Sequence, residues 1–119
     1  MAKILIVDDS RTSRKILRTI LEENGHEIIA EAMNGKDGLE RFKAVKPDLI
    51  TMDITMPVMD GIEALKKIRE YDRTAKVVMV TAAGQKTMMV DAIKYGASEF
   101  LTKPYEAMQI IDIIHKVLA

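Results

Sequence analysis

Two rhythms of apolar residues alternate along the chain. Short, dense apolar runs read as buried strands, and segments with apolar residues three and four apart read as helices. Lys3–Val7 is such a run, halted abruptly at Asp8 and Asp9, as suits a strand covered on both faces. Ser10 can cap the next helix, whose inward stripe is Ser13, Ile16, Leu17, Ile20 and Leu21, with Asn24-Gly25 as its stop. A strand is predicted over 27–33, closed by Asn34-Gly35, and a helix over 37–46 carries Leu39, Phe42 and Val45 until Pro47 ends it. A strand over 48–53 leads into a loop over 54–61 that holds Pro57 and Gly61. The helical period returns over 62–71 at Ile62, Leu65 and Ile68. A strand over 76–80 precedes a helix over 86–95 with Met88, Met89, Ala92 and Ile93 inward and Gly96 as its stop. A short strand over 99–102 runs up to Pro104, and the last helix carries Ala107, Ile110, Ile111, Ile114 and Leu118.

Strict strand–helix alternation implies a parallel sheet with helices on both faces and right-handed crossovers. A closed eight-fold barrel needs about 250 residues, and this chain has 119. An open, doubly wound α/β sheet is left, expected as a single domain over 1–119 with no output domain. With 18 basic and 18 acidic residues the formal charge is zero, and aromatic residues are few (3 Tyr, 2 Phe), so no nucleic-acid partner is expected. No apolar run approaches the roughly 20 residues of a membrane span, and the absence of Cys removes disulfides, thiolate metal sites and a Cys nucleophile. The expected setting is cytoplasmic.

In open parallel sheets the working crevice lies beyond the carboxyl ends of the strands. Read only at those ends, the chain delivers Asp8 and Asp9, then Asp53, then Thr81, then Lys103. Clustered carboxylates destabilise one another unless a cation sits among them. An all-oxygen set without Cys or a nearby His suits a hard cation, and Mg²⁺ fits because it takes a few carboxylates and keeps water or phosphate oxygens. Lys103 suits a point-charge contact to a phosphoryl oxygen, and Thr81 can donate to the same group. The set is therefore built for an aspartyl phosphate. Asp53, alone at a central strand end, is the preferred acceptor; adjacent Asp8 and Asp9 are better placed as a metal pair.

Ile-Leu-Ile-Val-Asp8-Asp9, Asp48-Leu-Ile-Thr-Met-Asp53, Met56-Pro57, Asp60-Gly61, Val80-Thr81-Ala82 and Lys103-Pro104 follow one another over the whole chain. In these motifs it resembles the receiver domains of bacterial and archaeal response regulators, most of all the stand-alone receivers of chemotaxis. The resemblance implies a flavodoxin-like sheet with strand order 2-1-3-4-5. It implies that Asp53 accepts a phosphoryl group from a histidine kinase, and that Asp8, Asp9, Asp53 and the backbone carbonyl of Thr55 hold one Mg²⁺. Lys103 and Thr81 would contact the phosphoryl group, Thr81 and Phe100 would form the switch, and Lys103–Pro104 would be cis. Several relatives carry Tyr where Phe100 stands. Thr55 and Ala83 flank the path of the attacking water in receivers and would tune dephosphorylation.

The same resemblance makes Tyr95, Glu99, Tyr105, Gln109, Ile113 and Lys116 a candidate partner face. Arg11, Arg14, Lys15 and Arg18 form a basic flank for docking an acidic kinase or phosphotransfer protein. The expected target is a protein such as the flagellar motor switch, with a phosphatase as a possible further partner. The chain would be mainly a monomer, with dimerisation linked to phosphorylation as an option. It would not be an enzyme beyond catalysing its own phosphorylation and dephosphorylation. The alternative within this class is a phosphorelay intermediate that passes its phosphate to a histidine phosphotransfer protein. A small Mg²⁺-dependent aspartyl-phosphate phosphatase is a remote alternative, since Asp53-Ile-Thr55 lacks an acid two residues on and no cap segment exists. A flavin or nucleotide site fails on charge, because Asp8-Asp9-Ser10-Arg11 would repel a phosphate without metal. His26 and His115 have no ligand partners at a suitable spacing and are expected in solvent, Met108 and Ile113 lie off the last helix's core stripe, and one of Met88 and Met89 must face away from the core.

Overall fold

Apolar runs that are continuous in sequence separate in space, because successive strand residues point to opposite faces. The computed structural model that shows this describes residues 1–82, 84 and 86–119, apart from the side chain of Lys86. The strands are β1 (Lys3–Val7), β2 (Glu27–Ala32), β3 (Leu49–Asp53), β4 (Val77–Ala82) and β5 (Glu99–Lys103). Between and after them come α1 (Arg11–Glu23), α2 (Gly35–Val45), α3 (Gly61–Tyr71), α4 (Lys86–Lys94) and α5 (Ala107–Leu118). All pairs are parallel and the order is β2-β1-β3-β4-β5, the doubly wound flavodoxin-like sheet. Leu5, Val7, Ile50, Met52, Val77 and Met79 face one way and pack with Phe42, Leu65, Ile68 and Ala92 of α2, α3 and α4. Ile4, Ile6, Leu49, Val78, Val80 and Leu101 face the other way, against Leu17 and Leu21 of α1 and Ile110 and Ile114 of α5.

Several elements differ from the periodicity reading. β4 continues past 80 because Thr81 and Ala82 still pair with Thr102 and Lys103 of β5. That register makes Lys103 a strand residue. α2 begins at Gly35, where Asn34 caps it by accepting from the Asp37 N–H at 2.8 Å. Ile16 and Ile93, assigned to inward stripes, are exposed, since the buried lines of α1 and α4 are narrower than three residues per turn. Ile113 goes the other way and is half-buried against the α1–α5 core, while Met108 is exposed. Met88 packs on the opposite core and its neighbour Met89 is also only half-exposed.

His26 is a clear correction. It is buried, with 8% exposure, and its Nδ1 accepts the Ala2 N–H at 3.2 Å. The turn at Asn24-Gly25 folds it under the start of β1, and His115, exposed on α5, meets it edge-on with ring centroids 6.1 Å apart. Among the described residues no helix is long and apolar enough to cross a membrane.

Candidate phosphoryl and metal site

The strand order reverses direction at β1, whose neighbours are β2 and β3, and the loops leaving β1 and β3 part to opposite faces. Asp8, Asp9 and Asp53 stand at this parting. Each offers a carboxylate oxygen, and these atoms lie within 4.8 Å of one another; no other such cluster occurs among the described residues. Asp8 is buried and fully engaged: Oδ1 accepts the Ser10 N–H at 2.8 Å and Oδ2 accepts from Lys103 Nζ at 3.1 Å. Asp9 is exposed. Asp53 lies between them in burial, with Oδ1 accepting the Ile54 N–H at 2.9 Å and Oδ2 lying 3.6 Å from Lys103 Nζ.

Burial, reinforced by the negative charge of Asp8, pushes the Asp53 carboxyl up to about 6, against the pull of Lys103. Burial works against the charge of Lys103 too, yet Asp53 and Asp8 hold it above the ordinary lysine value. One lysine thus serves two carboxylates, and a third stands beside them. Hard oxygen donors with a surplus of negative charge fit a divalent cation such as Mg²⁺, so the donor set passes the test that the strand ends suggested.

Thr81 is buried, in register with Thr102, and its Oγ1 donates to the Ala82 carbonyl at 3.2 Å. Phe100 is half-buried, packed on the core that α2, α3 and α4 cover. The Lys103–Pro104 bond is cis. Thr55 has an exposed side chain just beyond Asp53, and Ala83 lies outside the described residues. The Asp60-Gly61 step has a physical reason: a Cβ on Gly61 would stand 2.0 Å from the Asp53 carbonyl oxygen, so only glycine lets α3 start against the end of β3. The Gly61 N–H closes that turn on the Ile54 carbonyl at 2.7 Å, and Asp60 caps α3 through the Glu63 N–H at 2.9 Å.

The six residues of the candidate partner face do not form one surface of free side chains. Glu99 and Lys116 pair at 2.8 Å, and the lysine holds the Glu99 carboxyl below its usual range. Gln109 is occupied at the start of α5, accepting the Glu106 N–H at 2.7 Å. Tyr105 and Ile113 pack on the α1–α5 core, and burial raises the Tyr105 phenol. Tyr95 packs on the opposite core, under Lys66 at 4.8 Å from its ring. The basic flank of α1 is divided likewise. Arg11 and Lys15 are exposed, but Arg14 and Arg18 both bind Glu31 of β2. No local sequence signal marks Glu31, because its partners lie on another element.

A family model described as response regulator receiver domain matches residues 4–115. Chemotaxis protein CheY of Bacillus subtilis is 48% identical over 116 residues, covering 98% of this chain and 97% of the relative. Chemotaxis protein CheY of Thermotoga maritima is 43% identical over 115 residues, covering 97% and 96%. Among solved structures, a chain of the CheX-CheY-BeF3-Mg+2 complex from Borrelia burgdorferi superposes with a TM-score of 0.94 at 35% identity, covering 98% of this chain and 89% of that one.

Proposed function

The chain belongs to the response regulator receiver domain family, and from that premise we propose that it is a two-component phospho-switch with Asp53 as the acceptor. Receivers are regulatory switches rather than enzymes acting on other substrates. The observation that carries the reading is the half-buried Asp53 carboxylate, flanked by Asp8 and Asp9 and with Lys103 Nζ 3.6 Å away. In the transfer, an Asp53 carboxylate oxygen bonds to the phosphorus of a phosphohistidine on a kinase, and the phosphorus–nitrogen bond breaks, returning a neutral imidazole once it takes up a proton. Asp8, Asp9, Asp53 and the Thr55 carbonyl would hold Mg²⁺, which supplies positive charge against the carboxylates and the incoming phosphoryl oxygens. Lys103 turns from Asp8 and Asp53 to a phosphoryl oxygen, and the Thr81 hydroxyl donates to another. Phe100, one strand over from Thr81, repacks as Thr81 moves and carries the state to protein contacts around β5 and α5. Thr55 and Ala83 would set how readily water reaches the phosphate.

The proposed setting is chemotaxis, with a histidine kinase as donor and the flagellar motor switch as target; the naming of the relatives supports it. The Borrelia CheY forms a complex with CheX, which supports a further protein partner for this chain.

Incubation with acetyl phosphate, with and without Mg²⁺, followed by intact-mass measurement of wild type and Asp53→Asn, tests the chemistry. One added phosphoryl group that requires both Mg²⁺ and Asp53 is expected. An adduct that persists in Asp53→Asn, or none in the wild type, would overturn it. For the target, the beryllofluoride-loaded chain should bind motor-switch protein more tightly than the unloaded chain.

A further inference from the structure

Asp8 is held at more points than its carboxylate needs. Its N–H donates to the Ala32 carbonyl at 3.0 Å, and its own carbonyl accepts from Arg14 Nη1 at 2.7 Å. The Arg14 guanidinium, only 11% exposed, is in turn fixed by Glu31, whose Oε1 accepts from Arg14 Nε at 3.0 Å. Glu31 sits on β2 opposite Ile6, and its second oxygen takes Arg18, so the carboxylate cannot swing away. A guanidinium suits this place because its planar fork offers donors in two fixed directions, one to a carboxylate and one to a carbonyl; an ammonium has no such geometry. Asp9 is exposed and depends for its position on the backbone that this carbonyl belongs to.

We propose that Arg14, oriented by Glu31, is a positioning residue for the divalent-cation site: it fixes the backbone at the Asp8–Asp9 step so that both carboxylates stay within reach of Asp53. The proposal rests on the reading of the three aspartates as the Mg²⁺ site. It also reassigns half of α1's basic flank from partner docking to the rim itself.

For Arg14, electrostatics and positioning predict opposite signs; for Glu31, whose negative charge itself favours a cation, both predict weaker binding, so Arg14→Lys is the deciding variant. A cation beside a divalent-cation site repels it, so removing charge alone should leave Mg²⁺ binding equal or tighter. Loss of a positioning contact behind metal ligands typically weakens metal affinity by about tenfold or more. The experiment is a Mg²⁺ titration of wild type, Arg14→Lys, Arg14→Ala, Glu31→Gln and Lys15→Ala, followed by amide chemical shifts of the folded protein, with urea unfolding in EDTA alongside. Lys15 is exposed on the same helix and serves as the charge-only control. About tenfold weaker Mg²⁺ binding is expected in Arg14→Lys, which keeps the charge, and in Glu31→Gln, with Lys15→Ala equal to or tighter than wild type. Loss of a merely structural ion pair would lower the unfolding free energy and leave the Mg²⁺ affinity of the folded protein unchanged. Wild-type affinity in folded Arg14→Lys would therefore overturn the proposal, whether or not Arg14→Ala folds. A wild-type chain with no Mg²⁺-dependent shifts would overturn the reading of the site, and the positioning role with it.

Discussion

The two ends of the sheet each bury an ionisable side chain, with different consequences. At the carboxyl end, burial and the charge of Asp8 raise Asp53 to about 6. At the amino end, burial lowers the His26 pKa, helped by the N-terminal amine and His115. Both shifts favour the neutral form. His26 can live in that form: its Nδ1 takes the Ala2 N–H, which leaves the proton on Nε2, beside the His115 ring. Nε2 has no hydrogen-bond partner among the described residues, a modest cost for one neutral group. The aspartates cannot all become neutral without losing the contacts of Asp8 to Ser10 and Lys103. A lone buried histidine is thus part of the scaffold, whereas like charges gathered around one lysine call for an external cation. Burial of a titratable group does not by itself mark function; the sign and number of its neighbours do.

The difference should be sharpest at two glycines. Gly61→Ala forces a Cβ to 2.0 Å from the Asp53 carbonyl, so the end of β3 or the start of α3 must move. A loss of at least about 3 kcal/mol in urea unfolding is expected, together with loss of Mg²⁺ binding. Gly25, at the opposite end, has φ +84° but no atom within 4 Å of the place a Cβ would take, so Gly25→Ala should cost about 1 kcal/mol and leave Mg²⁺ binding unchanged. Equal effects would mean that the rim is no more tightly built than the far turn.

A smaller effect, of opposite sign, is expected from removing charge at the rim. The Asp53 pKa is about 6 in the folded chain against an ordinary 3.8, so its ionised form opposes folding. That penalty is absent below the ordinary value, grows as pH rises, and is complete above about 6. Asp53→Asn should therefore be more stable than wild type at pH 7.5 by about 1–2 kcal/mol, allowing for solvent screening. The gain should vanish at acid pH, and Mg²⁺ should shrink it by stabilising the wild type more than the variant, which lacks one of the three carboxylates. Urea unfolding at both pH values, with and without Mg²⁺, checks each sign.

His26 carries the smallest effect. Its folded pKa lies below the ordinary 6.5, so the unfolded chain binds the proton first as pH falls. Stability should be complete above 6.5 and decline as pH drops from there toward the folded value. His26→Gln should flatten that part of the profile, whereas Arg11→Ala at the rim side of α1 should not. A profile unchanged by His26→Gln would remove the far end from the comparison.

Much of the fold and of the site was written in the order of residues. The strand–helix alternation, the sheet class and the convergence of Asp8, Asp9, Asp53, Thr81 and Lys103 at strand ends all follow from local pattern, because a strand end places its next residue at the rim whatever the neighbours are. Asp60-Gly61 was legible as a turn, but the reason for the glycine, the carbonyl of Asp53, was not. Periodicity could not say which apolar residues at the edge of a helical stripe stay outside, as Ile16 and Ile93 do, since that depends on how far the neighbouring helix reaches. Nor could it find the Glu31–Arg14–Asp8 chain or the burial of His26 under β1, which join residues 17 and 24 positions apart on different elements. The sequence by itself determined which chemistry reaches the rim; only the packing of β2 and α1 against β1 decided which charges are held behind it and which stay free.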